Sequence, residues 1–295
     1  SVLGADARQL ARLKAFLDDN ALDPFTYNAF PYGGFGDVDL KERVFRPLWN
    51  EPARLEFTLD VARVAVSLAG AADAARHLSL STHTGGHSSR WAAREPRERD
   101  ELTAACQRGW KEAARALSRL REQTGWSVLL ALEPEPRANC NDTRELLAGF
   151  DARDAVELSR HVGACLDTCH AAVEFEDAAE CWNRVAVEMP QRGAARLGKL
   201  QFTSALEVAN ACGNSAAIAR LFALDEPRYL HQVTAQRGAQ FERVGDLGTA
   251  NAAWTRAEIA WEEFERIRCH FHVPVDREAL GDGLSTTRAY AGEVL

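Results

Sequence analysis

Apolar and polar positions along this chain follow two patterns: stretches with a helical period near 3.6, and short, nearly continuous apolar runs bounded by Pro, Gly or Asp. Residues 5–22 have the helical period, with Leu10, Leu13, Phe16 and Leu17 on one face. Residues 25–30 are short, aromatic and bounded by Pro24 and Pro31, which predicts a strand. A Gly-rich loop covers Pro31-Tyr32-Gly33-Gly34-Phe35-Gly36, and Asn50 is placed to cap a helix running to about Ala69. A second strand at 77–82 empties into a Gly/Ser/His loop at 83–89, and a long helix spans 98–123. The run at 127–132 predicts a buried strand that stops at Glu133-Pro134-Glu135-Pro136. Asp142-Thr143 opens a helix, and residues 162–166 form a strand stopped by Asp167. After them come a helix over 177–189, a strand over 197–203 and a helix over 215–223. The rest reads as an extended stretch at 229–236, a helix over 247–266, a strand at 267–273 and a helix opening at 286.

Strands that alternate with helices imply βα units and a mostly parallel sheet. No GxGxxG turn follows the first strand, so the doubly wound dinucleotide fold loses its main signature. The expectation is an α/β fold of the (β/α)8 barrel type, in one domain covering 1–295. About six units are visible where eight are needed. The chain's one Met is Met189, so Ser1 is not a translation start. Together these predict a barrel truncated at both ends, with strands before Ser1 and after Leu295.

Composition narrows the function classes. With 46% hydrophobic and 26% charged residues the chain is an ordinary globular one, not a disordered one. No apolar run approaches the roughly 18 residues of a membrane span. A net charge of -8 argues against a nucleic-acid partner, which asks for a basic face. Seven Cys without a CxxC pair argue against a disulfide framework or a zinc finger, and with an acidic start lacking a signal segment they predict a cytoplasmic protein. Only four Lys occur, Lys14, Lys41, Lys111 and Lys199, in a chain rich in Arg.

The polar residues that end the strands carry the chemistry, because an α/β barrel keeps its active site there. They are Asn28, His83, Glu133, Asp167 with His170, Lys199 with Gln201, and His270 with His272. They supply carboxylate, imidazole and amide groups suited to Mn²⁺, Zn²⁺, Fe²⁺ or Mg²⁺. Two prolines fix where Glu133 and Glu135 point, against the plainer reading of solvated acids capping a strand. Asp167 and His170 can share a metal, or Asp167 can simply cap a helix. His270 and His272 alternate and so face one side of a strand, as do Lys199 and Gln201. The metal candidates are Glu133, Asp167, His170, Gln201, His270 and His272, and the proton-transfer candidates are Glu133, Glu135 and Lys199. Asn28, Tyr32, His83, Gln201 and His231 are candidates for substrate contact. The plainer reading makes His83 and His87 surface histidines flanking Gly85-Gly86, and His231 a core or loop residue. Glu174 and Glu176 read as a helix-start acid pair. Phe25, Tyr27, Phe30, Tyr32 and Phe35 read as wall and lid. There is no Ser/His/Asp nucleophile elbow and no phosphate-cradling P-loop.

Six stretches in order carry a resemblance: Asn28-Ala29-Phe30-Pro31-Tyr32-Gly33, Val128 to Pro136 with Leu132-Glu133-Pro134-Glu135-Pro136, Cys165-Leu166-Asp167-Thr168-Cys169-His170-Ala171-Ala172-Val173-Glu174-Phe175-Glu176, Gly198-Lys199-Leu200-Gln201-Phe202-Thr203-Ser204-Ala205-Leu206, Tyr229-Leu230-His231-Gln232 and His270-Phe271-His272-Val273-Pro274. In these the chain resembles the metabolite traffic protein EboE family, within the xylose-isomerase-like (sugar phosphate isomerase/epimerase) barrels. The resemblance implies one metal held by a Glu, an Asp, a His and a second Glu on successive late strands. Glu133 and Asp167 match the first two, and His170 matches a His close to metal or substrate. Gln201 stands where the His ligand is usual, and the final Glu would follow Leu295; His270 or His272 can substitute. The implied activity is a divalent-metal isomerase or epimerase acting on, or handling, a small secondary-metabolite precursor, with other proteins of the same transport pathway as partners. The alternatives are a metal-free carrier barrel and, last, a metal-dependent hydrolase of the endonuclease-like branch, whose basic surface is missing.

Overall fold

The computed structural model describes residues 6–33, 40–72, 76–150, 158, 160–195 and 197–295. Gly34, Phe35 and Gly36 of the Gly-rich loop lie outside them. Five strands form one parallel sheet in sequence order: β1 (Thr26–Asn28), β2 (Leu78–His83), β3 (Val128–Glu133), β4 (Val162–Asp167) and β5 (Lys199–Gln201). Every residue of β2, β3 and β4 is buried, which is why their sequences read as continuous runs rather than alternating ones. Helices α1 (Ala7–Asp19), α2 (Pro52–Leu68) and α3 (Pro96–Thr124) precede β1, β2 and β3. Glu51 rather than Asn50 occupies the cap position of α2. α3 is set by a capping box between Glu95 and Glu98, by Pro96 in its first turn, and by Gly125 at φ 77° just past its end. Its Gly109 meets the chain at Trp49: a Cβ there would lie 2.2 Å from the Trp49 carbonyl oxygen. The core behind the sheet is built on Trp49, Leu78, Trp110, Leu117, Leu130 and Leu146.

The sheet curls like half a barrel. Lys199 on β5 reaches back to β2, its Nζ donating to Ser81 Oγ at 3.1 Å. The C-terminal ends are in register, with His83 beside Glu133 and Asp167 beside Gln201. α4 (Thr143–Ala148) is capped by Asp142, as expected, α5 (Thr168–Val173) starts directly from β4, and α6 (Ala178–Asn183) follows.

Beyond β5 the strands pair antiparallel. Six of them, β6 (Ser204–Val208), β7 (Val233–Arg237), β8 (Gln240–Val244), β9 (Arg266–Val273), β10 (Ala279–Gly281) and β11 (Leu284–Thr286), form a second sheet in the order β10-β11-β6-β9-β7-β8. The deciding signal is local: β7 and β8 are joined by Gly238-Ala239, with Gly238 at φ 55°, and a two-residue turn can only connect antiparallel strands. The helix expected over 247–266 ends early. α8 (Leu247–Thr255), which follows α7 (Ser215–Phe222), stops because Trp261 is drawn into the second core. The Trp261 ring meets Phe222 edge-on at 5.5 Å, and its Nε1 donates to Ala250 O at 3.2 Å. α9 (Arg288–Val294) returns to pack on α5 and α6. All seven cysteines are free thiols, and among the described residues no helix is long and apolar enough to cross a membrane.

Candidate metal centre

Three strand ends meet first. Gln201 Nε2 donates to Glu133 Oε1 at 2.6 Å and to Asp167 Oδ2 at 2.8 Å, so one amide holds two carboxyl groups together. The other oxygen of Asp167 caps α5, accepting from Cys169 N at 2.8 Å and His170 N at 3.3 Å, and from the Thr203 hydroxyl. The cap reading and the site reading of Asp167 both hold, one per oxygen. As an amide nitrogen cannot ligate a metal, an ion between Glu133 and Asp167 would need Gln201 to turn its carbonyl inward.

Three imidazoles lie alongside. The alternation of β9 places His270 and His272 on one side, and the first turn of α5 brings His170 to meet them. His170 Nε2 is 3.1 Å from His270 Nε2, which is 3.1 Å from His272 Nε2. The outer nitrogens decide the tautomers. His170 Nδ1 lies 3.1 Å from Pro134 O, a carbonyl that can only accept. His270 Nδ1 lies 2.6 Å from Gln232 Oε1. The Gln232 amide cannot be reversed, because its Nε2 donates to Glu135 Oε1 at 3.0 Å and to Pro136 O at 2.9 Å. Both Nδ1 atoms therefore carry the hydrogen, and the Nε2 atoms of His170 and His270 aim bare lone pairs at each other. Such a pair repels unless a cation sits between. Zinc–imidazole bonds of about 2.0–2.1 Å place neighbouring nitrogens about 3.3 Å apart in a tetrahedron, close to the separation here. Asp167 Oδ2 completes the group, 3.8 Å from His272 Nε2 and 4.0 Å from His170 Nε2. Overlapping trios of donors thus fit a divalent ion, Asp167 with His170 and His272 and Glu135 with His170 and His270, and His170 and His270 have the backed tautomers usual for ligands.

The electrostatics separate the carboxyl groups. Burial, followed by the charges of Asp167 and Glu135, pushes Glu133 up to about 8. Burial raises Glu135 to about 8 against the Gln232 hydrogen bond. Burial also works against ionised Asp167, but His170, His272, Thr203 and the Cys169 N–H outweigh it and hold its carboxyl below the usual range. Burial depresses His170, and burial with His170 and His272 nearby depresses His270 well below its ordinary value. Two protonated carboxyls therefore stand beside one ionised carboxylate near neutral pH, the separation that acid–base chemistry uses.

The other candidates are scattered around this centre. A cavity of about 560 Å³ opens over Glu133, Glu135, His170, Gln201, His270 and His272, with Asn28 and His231 on its lining. Asn28 turns its own loop, its Oδ1 accepting from Phe30 N at 2.8 Å. His231 stacks on Phe271 with ring centres 3.7 Å apart, and its Nδ1 pairs with His270 O at 2.8 Å. Tyr32 is 53% exposed and packs edge-on against Phe57, away from the cavity lining. Lys199 stays at Ser81 and is not among the residues lining the cavity. His83 and His87 are buried, which corrects their surface reading. His83 lies among Phe30 and Phe45, its ring nitrogens without hydrogen-bond partners among the described residues, and burial drives its pKa well down. The loop carrying them is packed, not loose: a Cβ on Gly85 would lie 2.6 Å from Asn139 Oδ1, and one on Gly86 2.3 Å from Leu48 Cδ2. Glu174 and Glu176 are not a solvated helix-start pair either. Glu174 is buried between Arg137 and Arg243, each 2.9 Å away, and the Glu176 carboxylate is 3.3 Å from Arg184 and bonded to Thr143. Gln232 is absent from the sequence candidates although it stands in one of the six motifs. The available signal is an amide inside an extended run, which must find partners if buried.

This is the framework of one known fold class, a strand-end site on a curved parallel sheet. The chain belongs to the Xylose isomerase-like TIM barrel family, whose model matches residues 2–239. His270 and His272 lie beyond that match. Among solved structures it is similar to a D-tagatose 3-epimerase-like protein, at 16% identity over 66% of this chain and 61% of that one, with a TM-score of 0.42. It is also similar to the 3-keto-D-glucoside 4-epimerase YcjR from E. coli in its apo form, at 16% identity over 60% of each chain, TM-score 0.40. A third is the IOLI protein with a bound zinc atom, at 12% identity over 64% of this chain and 55% of that one, TM-score 0.37. The chain spans less than two thirds of the length of each of these three structures. Among curated proteins none matches the sequence.

Proposed function

We propose that the protein is a divalent-metal isomerase- or epimerase-like enzyme that acts on a small secondary-metabolite precursor, as an EboE-like metabolite traffic protein linked to that precursor's transport. The observation that carries the chemistry is the convergence of the His170 and His270 lone pairs beside Asp167. His170, His270, His272 and Asp167 would hold the ion, which when bound supplies a Lewis acid for a carbonyl or hydroxyl of the substrate. Glu133 and Glu135, protonated near neutral pH, are the acids that give a proton to a substrate oxygen, and whichever has given its proton is then the carboxylate that takes one from the substrate carbon. Gln201 keeps Glu133 pointed into the cavity, and Lys199 acts through the charge it places near Glu133. The EboE assignment is supported by six ordered motifs, and its partners are the proteins of the same pathway.

Metal-stripped protein titrated with Mn²⁺ or Zn²⁺ tests the centre. The melting temperature is expected to rise by several degrees, and to stay unchanged in His270→Ala. A wild-type protein that ignores both ions would sink the metal reading. The carrier alternative is favoured by one observation, the Gln201 amide seated between Glu133 and Asp167 where an ion could otherwise sit. A melting shift with pathway metabolites but none with metals would select it. The hydrolase reading finds no support in a net charge of -8, and cleavage of an abasic-site duplex would revive it.

A further inference from the structure

The cavity above the candidate centre has two chemically distinct sides. Its floor is the carboxyl, amide and imidazole set. Its wall is apolar: Phe30 after β1, Leu40 and Val44 around the turn Lys41–Phe45, Leu230 before β7, and Phe271 on β9. The wall is backed by Phe45 and Ala138 and is preformed. Lys41 clasps its two loops, its N–H donating to Arg228 O at 2.9 Å and its Nζ to Glu226 O and Asp246 Oδ2, each at 2.8 Å. These bonds hold Lys41 at φ 36°, a conformation that is strained for a non-glycine residue.

That clasp also decides what cannot bind. Among the described residues lining the cavity, Lys41 is the only Lys or Arg, and its ammonium is committed to Asp246. A phosphate ester needs basic side chains or free helix N-terminal N–H groups. The N–H groups of Cys169 and His170 at the start of α5 are already taken by Asp167 Oδ1. A free polyol, for its part, would leave the apolar wall facing hydroxyls. The volume of about 560 Å³ is that of a cavity for a drug-sized ligand.

We infer that the substrate is an uncharged amphipathic molecule. Its compact hydroxylated or carbonyl-bearing head would lie on the Glu133–His270 floor. An apolar substituent about the size of an aromatic ring would lie against Phe30, Val44, Leu230 and Phe271. This rests on the cavity being the reaction site. It departs from a sugar phosphate in both charge and polarity.

Three matched series test it on the full chain: D-glucose, D-mannose and myo-inositol, each as free polyol, O-benzyl derivative and monophosphate. Binding is read by calorimetry with and without Zn²⁺. In at least one series the benzyl form is expected to bind tenfold or more tighter than its parent, with the monophosphate no tighter than the parent. Val44→Asp and Leu230→Asp, both at half-buried positions, are expected to cost the benzyl form at least tenfold and the parent less than twofold. A monophosphate that binds tightest, a benzyl form with no advantage, variants that keep that advantage, or no binding in any series would each overturn the inference. The metal-driven melting shift is read without polyol, so failure here is distinguishable from failure of the metal centre.

Discussion

Gln232 sets the direction of more chemistry than any single ligand does. Its amide fixes the His270 tautomer on one side and the Glu135 carboxyl on the other. In Gln232→Leu, His270 is free to move its hydrogen to Nε2. Long-range nitrogen–proton NMR on the metal-free protein is expected to show a mixed tautomer, and metal affinity is expected to fall about 10–100-fold, the usual cost of losing a ligand's outer partner. A His270 locked as before would show that the amide is a bystander. Gln201 makes a second case. Gln201→Glu would put a third carboxyl against Glu133 and Asp167 in place of a donor. Without metal the variant is expected to lose about 3 kcal/mol in urea unfolding, since one partner of a buried network now repels. Added Mn²⁺ is expected to restore more stability to it than to wild type.

At the level of elements, legibility follows burial. β2, β3 and β4 are covered on both faces, so their runs and their polar end residues stand out, and Glu133 and Asp167 with them. β8 is not readable. Gln240, Phe241 and Arg243 are exposed at the sheet edge, and a stretch such as Gln-Phe-Glu-Arg-Val has no apolar run to find. Arg243 nonetheless reaches the buried Glu174 carboxylate, a pairing between residues far apart in the chain that no local pattern announces. The pairing direction of β7 and β8 turns on one glycine, Gly238, whose role depends on a partner strand that the apolar pattern hides. The burial of His83 is hidden for a related reason. Gly85 and Gly86 suggest a loose loop, whereas both are glycines because Asn139 and Leu48 press against them. Gly109 in α3 allows a direct test of such packing. Alanine is the better helix former by about 1 kcal/mol, yet its Cβ would collide with the Trp49 backbone. Gly109→Ala is therefore expected to destabilise the protein by about 2 kcal/mol or more, measured by the urea midpoint at constant slope.

For the whole molecule, the buried titratable groups make stability depend on pH in an unusual direction. Burial raises Glu133 and Glu135 to about 8, and burial raises Glu176 to about 7, each from an ordinary 4.5. Each group holds its proton more tightly folded than unfolded. The stability it contributes is complete below pH 4.5 and drains away as pH rises through 7 to 8. His83, His170 and His270 act oppositely: burial depresses them, so folding gains as pH climbs towards their ordinary 6.5. Above 6.5 only the carboxyl effect remains. The metal-free chain is expected to lose on the order of 2 kcal/mol between about pH 6.5 and 8.5, read from urea unfolding in chelator. A flat or rising profile would contradict the protonated state of Glu133 and Glu135.

The three imidazoles come from both sheets, with His170 following the parallel one and His270 and His272 on the antiparallel one. On the metal reading this sets an order of events during synthesis. A growing chain that has emerged only as far as β5 already holds Glu133, Asp167 and Gln201, and the amide can hydrogen-bond that carboxyl pair by itself. The ion must wait until about seventy further residues have been made and β9 has settled. Loading would then certify that the second half has folded, and a chain that stalls or is clipped before His270 would stay closed to metal instead of capturing it half-built.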